Sequence, residues 1–318
     1  MDGLGYSLSS EEHRPADLVA YARRAEECGF GFALISDHFH PWVDRQGQSP
    51  FVWTVLGAIA HATERLEVGT GVTCPTVRIH PAIIAQAAAT TADLFGGRFF
   101  LGVGTGENLN EHVLGDRWPE VDLRIEMLEE AVEVIRKLWE GHQTSHHGRY
   151  YTVENARIYT LPETLPPIHV AGAGEKSGTS AGRIGDGFVG TTPDAETIQA
   201  FERAGGKGKP RYGQLTVCWG EDEAEARRTA VEWWPNMAVP GQLSQELPLP
   251  SHFDAAAKLV REEDMAGTIP IGPDPERHVA KIREYFDAGY DHVYVHQIGP
   301  DQDGFFRFYE REIIPKLS

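Results

Sequence analysis

Short apolar runs alternate with amphipathic stretches along the first 110 residues of the chain. The runs predict four strands, Leu4–Leu8, Phe30–Ser36, Leu66–Val72 and Arg98–Gly104. Apolar residues at helical spacing predict three intervening helices, Arg14–Cys28, Phe51–Thr63 and Pro81–Phe95. Strands that alternate with helices in this way are typical of parallel βαβ units.

The same pattern continues after a long amphipathic helix predicted at Glu120–Trp139. Four more strands are predicted, Ile168–Gly172, Gly187–Thr192, Gln214–Trp219 and His292–His296. Eight strands is the count of a (β/α)8 TIM barrel, and 318 residues suit one barrel with insertions. The fold class predicted is therefore α/β, with a single barrel domain over residues 1–318.

Two segments interrupt the barrel pattern and are interpreted as insertions. In the first, at about 145–165, residues Gly148–Val153 and Ala156–Leu161 alternate like a hairpin. The second, at about 233–270, loses periodicity and carries Pro235, Pro240, Pro248 and Pro250, so we expect a loop with one short helix near Phe253–Glu263. Loops of this length commonly act as lids or linkers.

Charge and composition exclude several classes of function. There are 47 acidic and 29 basic residues, a net charge of −18, which argues against a nucleic-acid partner. Any anionic ligand must be held by local donors such as helix N-termini. No apolar run reaches the roughly 20 residues that span a bilayer, and the first residues do not resemble a signal peptide, so we expect a cytoplasmic protein. Three scattered cysteines favour neither disulfides nor zinc.

Three predicted strand ends carry residues suited to chemistry. Asp37, His38 and Trp42 follow the second strand, and glycine-rich stretches, 69–75 and 102–111, follow the third and fourth. In a barrel these ends lie side by side at one mouth, where active sites occur. Each stretch considered alone is equally compatible with a solvated loop or a tight turn.

His38 and Glu107 form a candidate acid–base pair at this mouth. An imidazole titrates near neutral pH, and a carboxylate in a different environment could take the complementary role. Glu107 could instead pair with a basic side chain. After the fifth strand, the glycine-rich turn at 171–180 brings Lys176, Ser177 and Thr179 to a helix N-terminus, an arrangement that favours phosphate binding.

Other common site motifs are missing or weak. The GxGxxG fingerprint fails because Glu107 stands where its last glycine should be. The glycine-rich turn lacks P-loop spacing, and no GxSxG elbow is present. His146 and His147 are adjacent on the predicted hairpin, but no HExxH motif accompanies them, so no metal is predicted.

In combination, several stretches resemble the luciferase-like superfamily. They are Gly5–Tyr6 with Glu11, Ser36–Trp42, Gly69–Thr76, Pro81–Gln86, Phe100–Glu107 and Ala181–Phe188. The chain is most similar to the members that use the deazaflavin coenzyme F420, and among these to the F420-dependent glucose-6-phosphate dehydrogenase branch.

The resemblance implies roles for individual residues. His38 would be the base that takes a hydroxyl proton as a hydride leaves the adjacent carbon. Trp42 and Glu107 would flank the deazaflavin, Asp37 would contact it, and Glu11 would lie near the substrate. Further residues would hold the cofactor: Gly71 and Val72, joined by a cis peptide bond, Cys74, Thr105, Gly106, Asn110, Ala173, Gly174, Lys176 and Ser177.

The resemblance is weaker at the substrate. The glucose-6-phosphate enzymes hold the sugar phosphate with two lysines and an arginine. The nearest positions here are Asp194, Leu243 and Thr268, although Lys258 or Arg261 could substitute. We therefore expect an unphosphorylated sugar, oxidised at the anomeric carbon, or a related secondary alcohol, with Thr191 near the pocket.

Other hypotheses remain open. Glucose 6-phosphate is the alternative substrate, and an FMN-dependent monooxygenase is the alternative enzyme. The non-enzymatic alternative is a flavin-binding barrel without catalytic activity. The resemblance also implies a homodimer.

Overall fold

Eight short strands pair side by side, all parallel, and close into a barrel in the order β1-β10-β9-β8-β7-β4-β3-β2. The computed structural model describes residues 3–317; residues 1, 2 and 318, which the predicted domain limits include, lie outside the described part. The barrel strands are β1 (Leu4–Leu8), β2 (Phe32–Ile35), β3 (Glu67–Thr70), β4 (Phe99–Val103), β7 (Ile168–Ala171), β8 (Gly187–Gly190), β9 (Arg211–Val217) and β10 (His292–Gln297). The predicted TIM barrel is confirmed.

Helices surround the barrel and bury their apolar faces against it. They are α1 (Pro15–Cys28), α2 (Val52–Ala62), α3 (Pro81–Phe95), α4 (Asn108–Glu111), α5 (Val121–Leu138), α6 (Glu175–Ile184), α7 (Ala195–Phe201), α8 (Glu223–Trp233), α12 (Pro275–Asp287), α13 (Gln302–Phe308) and α14 (Ile314–Leu317). Short 3-10 or π segments lie at His112–Leu114, Glu202–Gly206 and Tyr309–Ile313. No helix within residues 3–317 is both long and apolar enough to cross a membrane.

Stacked rings contribute to the core inside the barrel. The ring centroids of Phe100 and His169 lie 4.6 Å apart, and Tyr212 stacks on both at 5.0 Å. Val72 and Ala171 pack against the cluster that includes Phe100 and Tyr212. Since both also line the cavity described below, this core supports its floor.

The predicted hairpin is present, but the bounds predicted for its two strands are wrong. The observed antiparallel pair is β5 (Thr144–His147) with β6 (Thr152–Ala156), and the segment after Ala156 forms no strand. The Glu130 carboxylate on α5 accepts hydrogen bonds from the backbone N–H groups of residues 149–151, which places the turn there. Ile158 and Leu161 pack against the core without pairing into a strand.

The insertion at 233–270 contains more helix than the sequence predicted. A 3-10 turn (Pro235–Ala238) leads to α9 (Gly241–Glu246), α10 (Pro250–Ala257) and α11 (Glu262–Ala266). The single helix expected at Phe253–Glu263 is therefore wrong in number and in bounds. Proline lacks an N–H but suits the first turn of a helix, and Pro250 begins α10 in this way.

Candidate active site

A cavity of about 330 Å³ lies at the carboxyl ends of the barrel strands. It brings together all but three of the residues to which the family resemblance gave a role in the site; Thr179, named for its place in the glycine-rich turn, also lies outside it. The predicted residues that line it are Glu11, Asp37, His38, Trp42, Gly71, Val72, Cys74, Thr105, Gly106, Glu107, Ala173, Ser177 and Thr191. The connections that follow seven of the eight strands contribute to it, because parallel strands point their carboxyl ends the same way.

His38 is paired with a buried carboxylate. Its Nδ1 lies 3.3 Å from Glu11 Oε1, although the two are not aligned as a hydrogen bond. Glu11 is held in turn by two hydroxyls, since Oε2 accepts hydrogen bonds from Ser36 at 2.6 Å and Ser9 at 3.1 Å. A carboxylate at this distance orients an imidazole and stabilises the positive charge that forms when it accepts a proton.

This pairing was not predicted, because Glu11 was expected beside the substrate. Glu11 follows β1 and His38 follows β2, and the two strands are neighbours in the barrel. The strand order therefore contains the signal that could have placed them together. Trp42 adds an apolar wall, with its ring 5.1 Å from that of His38 and edge-on to it.

Arg78, which the sequence analysis missed, joins two carboxylates behind the cavity. Its Nη2 donates to Asp37 Oδ1 at 2.9 Å, and its backbone N donates to Glu111 Oε2 at 2.7 Å. Thr73 donates to the second Asp37 oxygen at 2.7 Å. Both carboxylates line the cavity, and contacts within the protein hold each of them in place.

The three predicted residues outside the cavity have other contacts. Asn110 is buried, and its Oδ1 accepts hydrogen bonds from the backbone N of Phe39 and of His40, so it shapes the loop that carries His38. Lys176 is exposed and pairs with Asp122 at 2.8 Å beside a neighbouring surface cavity. Gly174 begins α6. Their proposed contacts with a cofactor stay predictions.

Small residues form part of the cavity wall. The peptide bond between Gly71 and Val72 is cis, as the resemblance implied. A Cβ atom at Gly104 would lie 2.7 Å from Val72, and one at Gly106 would lie 2.6 Å from Cys74 Sγ. Larger side chains at these positions would therefore displace Val72 and Cys74, which line the same wall. Burial raises the pKa of the Cys74 thiol, which keeps this group neutral.

The charges around the cavity are unfavourable for an anion in the substrate position. Glu11, Asp37, Glu107 and Glu111 line it, whereas none of the lining residues in the described part is a lysine or an arginine. The candidate phosphate positions, Asp194, Leu243, Thr268, Lys258 and Arg261, do not line it either. Asp194 instead caps α7, where it accepts a hydrogen bond from Glu196 N at 2.9 Å.

We expect Glu111 to lower the stability of the fold as the pH rises. Burial raises the pKa of its carboxyl from 4.5 to about 7, despite the opposing effect of Arg78. Between these values the unfolded chain is ionised while the folded chain holds the proton, so stability falls with rising pH. In Glu111→Gln this contribution is lost. Thermal melts from pH 5 to pH 8 should show the Tm of the variant rising relative to wild type.

The control for this measurement is Glu163→Gln, which changes an exposed carboxylate in a loop. Its Tm difference from wild type should stay constant over the same range. A constant difference for Glu111→Gln as well would contradict the assignment of the titration to Glu111.

Comparisons with known proteins agree on one family. Residues 3–292 match the family described as luciferase-like monooxygenase. The chain is 36% identical over 326 aligned positions to the F420-dependent glucose-6-phosphate dehydrogenase of Microbacterium testaceum, which covers 99% of this chain and 97% of that enzyme. The Mycobacterium avium enzyme of the same name is 34% identical, with the same coverage.

Two solved structures share the fold. An F420-dependent secondary alcohol dehydrogenase, in complex with an F420-acetone adduct, superposes with a TM-score of 0.93 and 31% identity over the full length of both chains. The coenzyme F420-dependent tetrahydromethanopterin reductase of Methanopyrus kandleri has a TM-score of 0.80 and 22% identity, covering 99% of each chain. At that identity the second likeness concerns the fold alone.

Proposed function

This chain belongs to the luciferase-like monooxygenase family, and on that basis we propose that it is an F420-dependent dehydrogenase of an uncharged alcohol, such as a free sugar. Dependence on F420 and action on a CH–OH donor are common to the two glucose-6-phosphate dehydrogenases and the secondary alcohol dehydrogenase described above. The wall that contains Gly71, Val72, Gly104 and Gly106 has little side-chain bulk, so the planar ring of this cofactor could approach its backbone closely. When bound, F420 would supply the acceptor for a hydride.

The pair of His38 and Glu11 is the observation that supports dehydrogenation. His38 would take the hydroxyl proton of the substrate as the hydride leaves the same carbon, and Glu11 would hold the imidazole in position. The fixed carboxylate also stabilises the imidazolium that results. Trp42 covers one side of the imidazole and excludes water. Glu107 lines the same cavity as a second proton carrier.

We propose an uncharged substrate because no lysine or arginine occurs among the described residues that line the cavity. A phosphate placed about 4 Å from a carboxylate would experience repulsion of roughly 4 kcal/mol per pair of unit charges at intermediate dielectric. The names of the curated relatives favour glucose 6-phosphate as a second candidate. The secondary alcohol dehydrogenase, whose structure contains an F420-acetone adduct, favours a smaller, uncharged substrate.

The test has two stages. Fluorescence titration with F420 and with FMN should show tight binding of F420 alone. A spectrophotometric assay of F420 reduction should then detect turnover with free sugars or secondary alcohols and little with glucose 6-phosphate. Binding of FMN alone would favour a monooxygenase, and efficient turnover of glucose 6-phosphate would overturn the choice of an uncharged substrate. Assembly as a homodimer and a cytoplasmic location stay predictions.

A further inference from the structure

The insertion at 233–270 contributes Trp234, Asn236 and Gln245 to the cavity wall. The family resemblance gave no role to any of the three. Two of them are neutral amides, and each is anchored to another part of the chain in a way that determines which end of the amide faces the cavity.

Gln245, on α9, is oriented by a buried arginine. Arg124 on α5 is 1% exposed, and its Nη2 donates to Gln245 Oε1 at 3.0 Å. The same guanidinium donates to Glu246 at 3.3 Å and lies 4.2 Å from the ring of Trp118. Arginine can only donate hydrogen bonds, so the amide oxygen must face Arg124. The NH₂ group of Gln245 is left with no partner among residues 3–317.

Asn236 is oriented by Gln46, whose own amide is fixed by backbone groups at both ends. Gln46 Oε1 accepts from Trp42 N at 2.8 Å, and its Nε2 donates to Trp233 O at 3.0 Å. The same Nε2 reaches Asn236 Oδ1 at 3.4 Å. The oxygen of Asn236 therefore faces Gln46, and its NH₂ group, like that of Gln245, donates to no described residue.

We propose that Asn236 and Gln245 form a substrate-recognition pair that donates hydrogen bonds to hydroxyl oxygens remote from the reacting carbon. The two donors are anchored on different elements, α5 and the loop after β2, so they would meet separate oxygen atoms. The substrate class is thus a polyhydroxy compound such as a free sugar rather than a monohydric alcohol. This inference rests on the proposed function and deepens it.

Binding of D-glucose to the F420-loaded protein, measured by isothermal titration calorimetry, tests the pair. We expect Asn236→Leu and Gln245→Leu each to weaken binding about 5-fold, which corresponds to about 1 kcal/mol for one neutral hydrogen bond. Gln245→Glu should weaken it at least as much, because glutamate keeps an oxygen for Arg124 but removes the NH₂ donor. Gln242→Leu, at an exposed position on the same helix, is the matched control and should bind as wild type.

Three results would overturn the inference: no binding of glucose to wild type, equal binding by wild type and the leucine variants, or normal binding by Gln245→Glu. The last would mean that only the anchor to Arg124 matters. Failure of the proposed function is recorded separately, as an absence of F420 binding in the preceding titration, and the glucose titration can be repeated without F420.

Discussion

Replacing His38 with alanine should lower the turnover of the F420-dependent reaction by about 10²- to 10⁴-fold, the usual contribution of a general base. The variant removes the imidazole that lies 3.3 Å from Glu11 and leaves the glycine-lined wall intact. We therefore expect the affinity for F420 to change little. Steady-state assays of F420 reduction, together with a fluorescence titration of F420, measure the two effects independently.

His40→Ala provides a matched control two residues away. His40 lies outside the cavity, where its Nδ1 is 2.8 Å from Leu109 O and its ring stacks on His112. Its replacement should leave turnover within a few-fold of wild type. Equal turnover in the two variants would remove His38 from the mechanism, and loss of F420 binding in His38→Ala would show that the residue shapes the site instead.

Gly102→Ala should destabilise the barrel by several kcal/mol, near the upper end of the effects of overpacking. Gly102 lies on β4, and a Cβ atom there would collide with the backbone carbonyl oxygen of Thr70 on β3. The two residues are also bonded to each other, since Thr70 Oγ1 donates to Gly102 O at 2.7 Å and accepts from Gly102 N at 3.0 Å. Because the clash is with backbone in a closed barrel, no side-chain rotation relieves it.

Chemical denaturation of Gly102→Ala and of Gly57→Ala would test this expectation. Gly57 lies within α2, and a Cβ there would make only an ordinary contact, 3.9 Å from Leu94. Alanine is favoured over glycine inside a helix by roughly 0.5–1 kcal/mol, so this control should gain stability. A free energy of unfolding for Gly102→Ala within 1 kcal/mol of wild type would contradict the proposed clash.

Most of the barrel could be predicted from local sequence. Leu4–Leu8 and Pro81–Phe95 have the bounds that their hydrophobic patterns indicated. Strand β9 was predicted at Gln214–Trp219 but begins three residues earlier, at Arg211. There the guanidinium and backbone N of Arg211 bond to Asp291, 80 positions away, a contact that no local pattern contains.

The location of the candidate site could also be predicted from local sequence. Contacts between segments far apart in the chain were again the part that could not be predicted. Residues such as His38 and Glu107 closely follow strands, so the rule that active sites lie at the carboxyl ends of barrel strands predicts that they lie together, and both line the cavity. Their roles stay predictions. Arg78, Arg124 and Gln46 do not come directly after a barrel strand, so this rule did not identify them. Each of them acts on the candidate site only through hydrogen bonds to residues on other elements.

The sequence by itself determined the eight-stranded barrel, the edge at which its chemistry lies and the residue types that meet there. These follow from hydrophobic periodicity and from the common direction of parallel strands, both of which are local or topological properties. The tertiary structure alone decided that Glu11 meets His38, that Arg78 joins Asp37 to Glu111, and that the insertion brings Asn236 and Gln245 to the cavity wall. Such pairings depend on distances between segments far apart in the chain, which become defined only when the barrel closes.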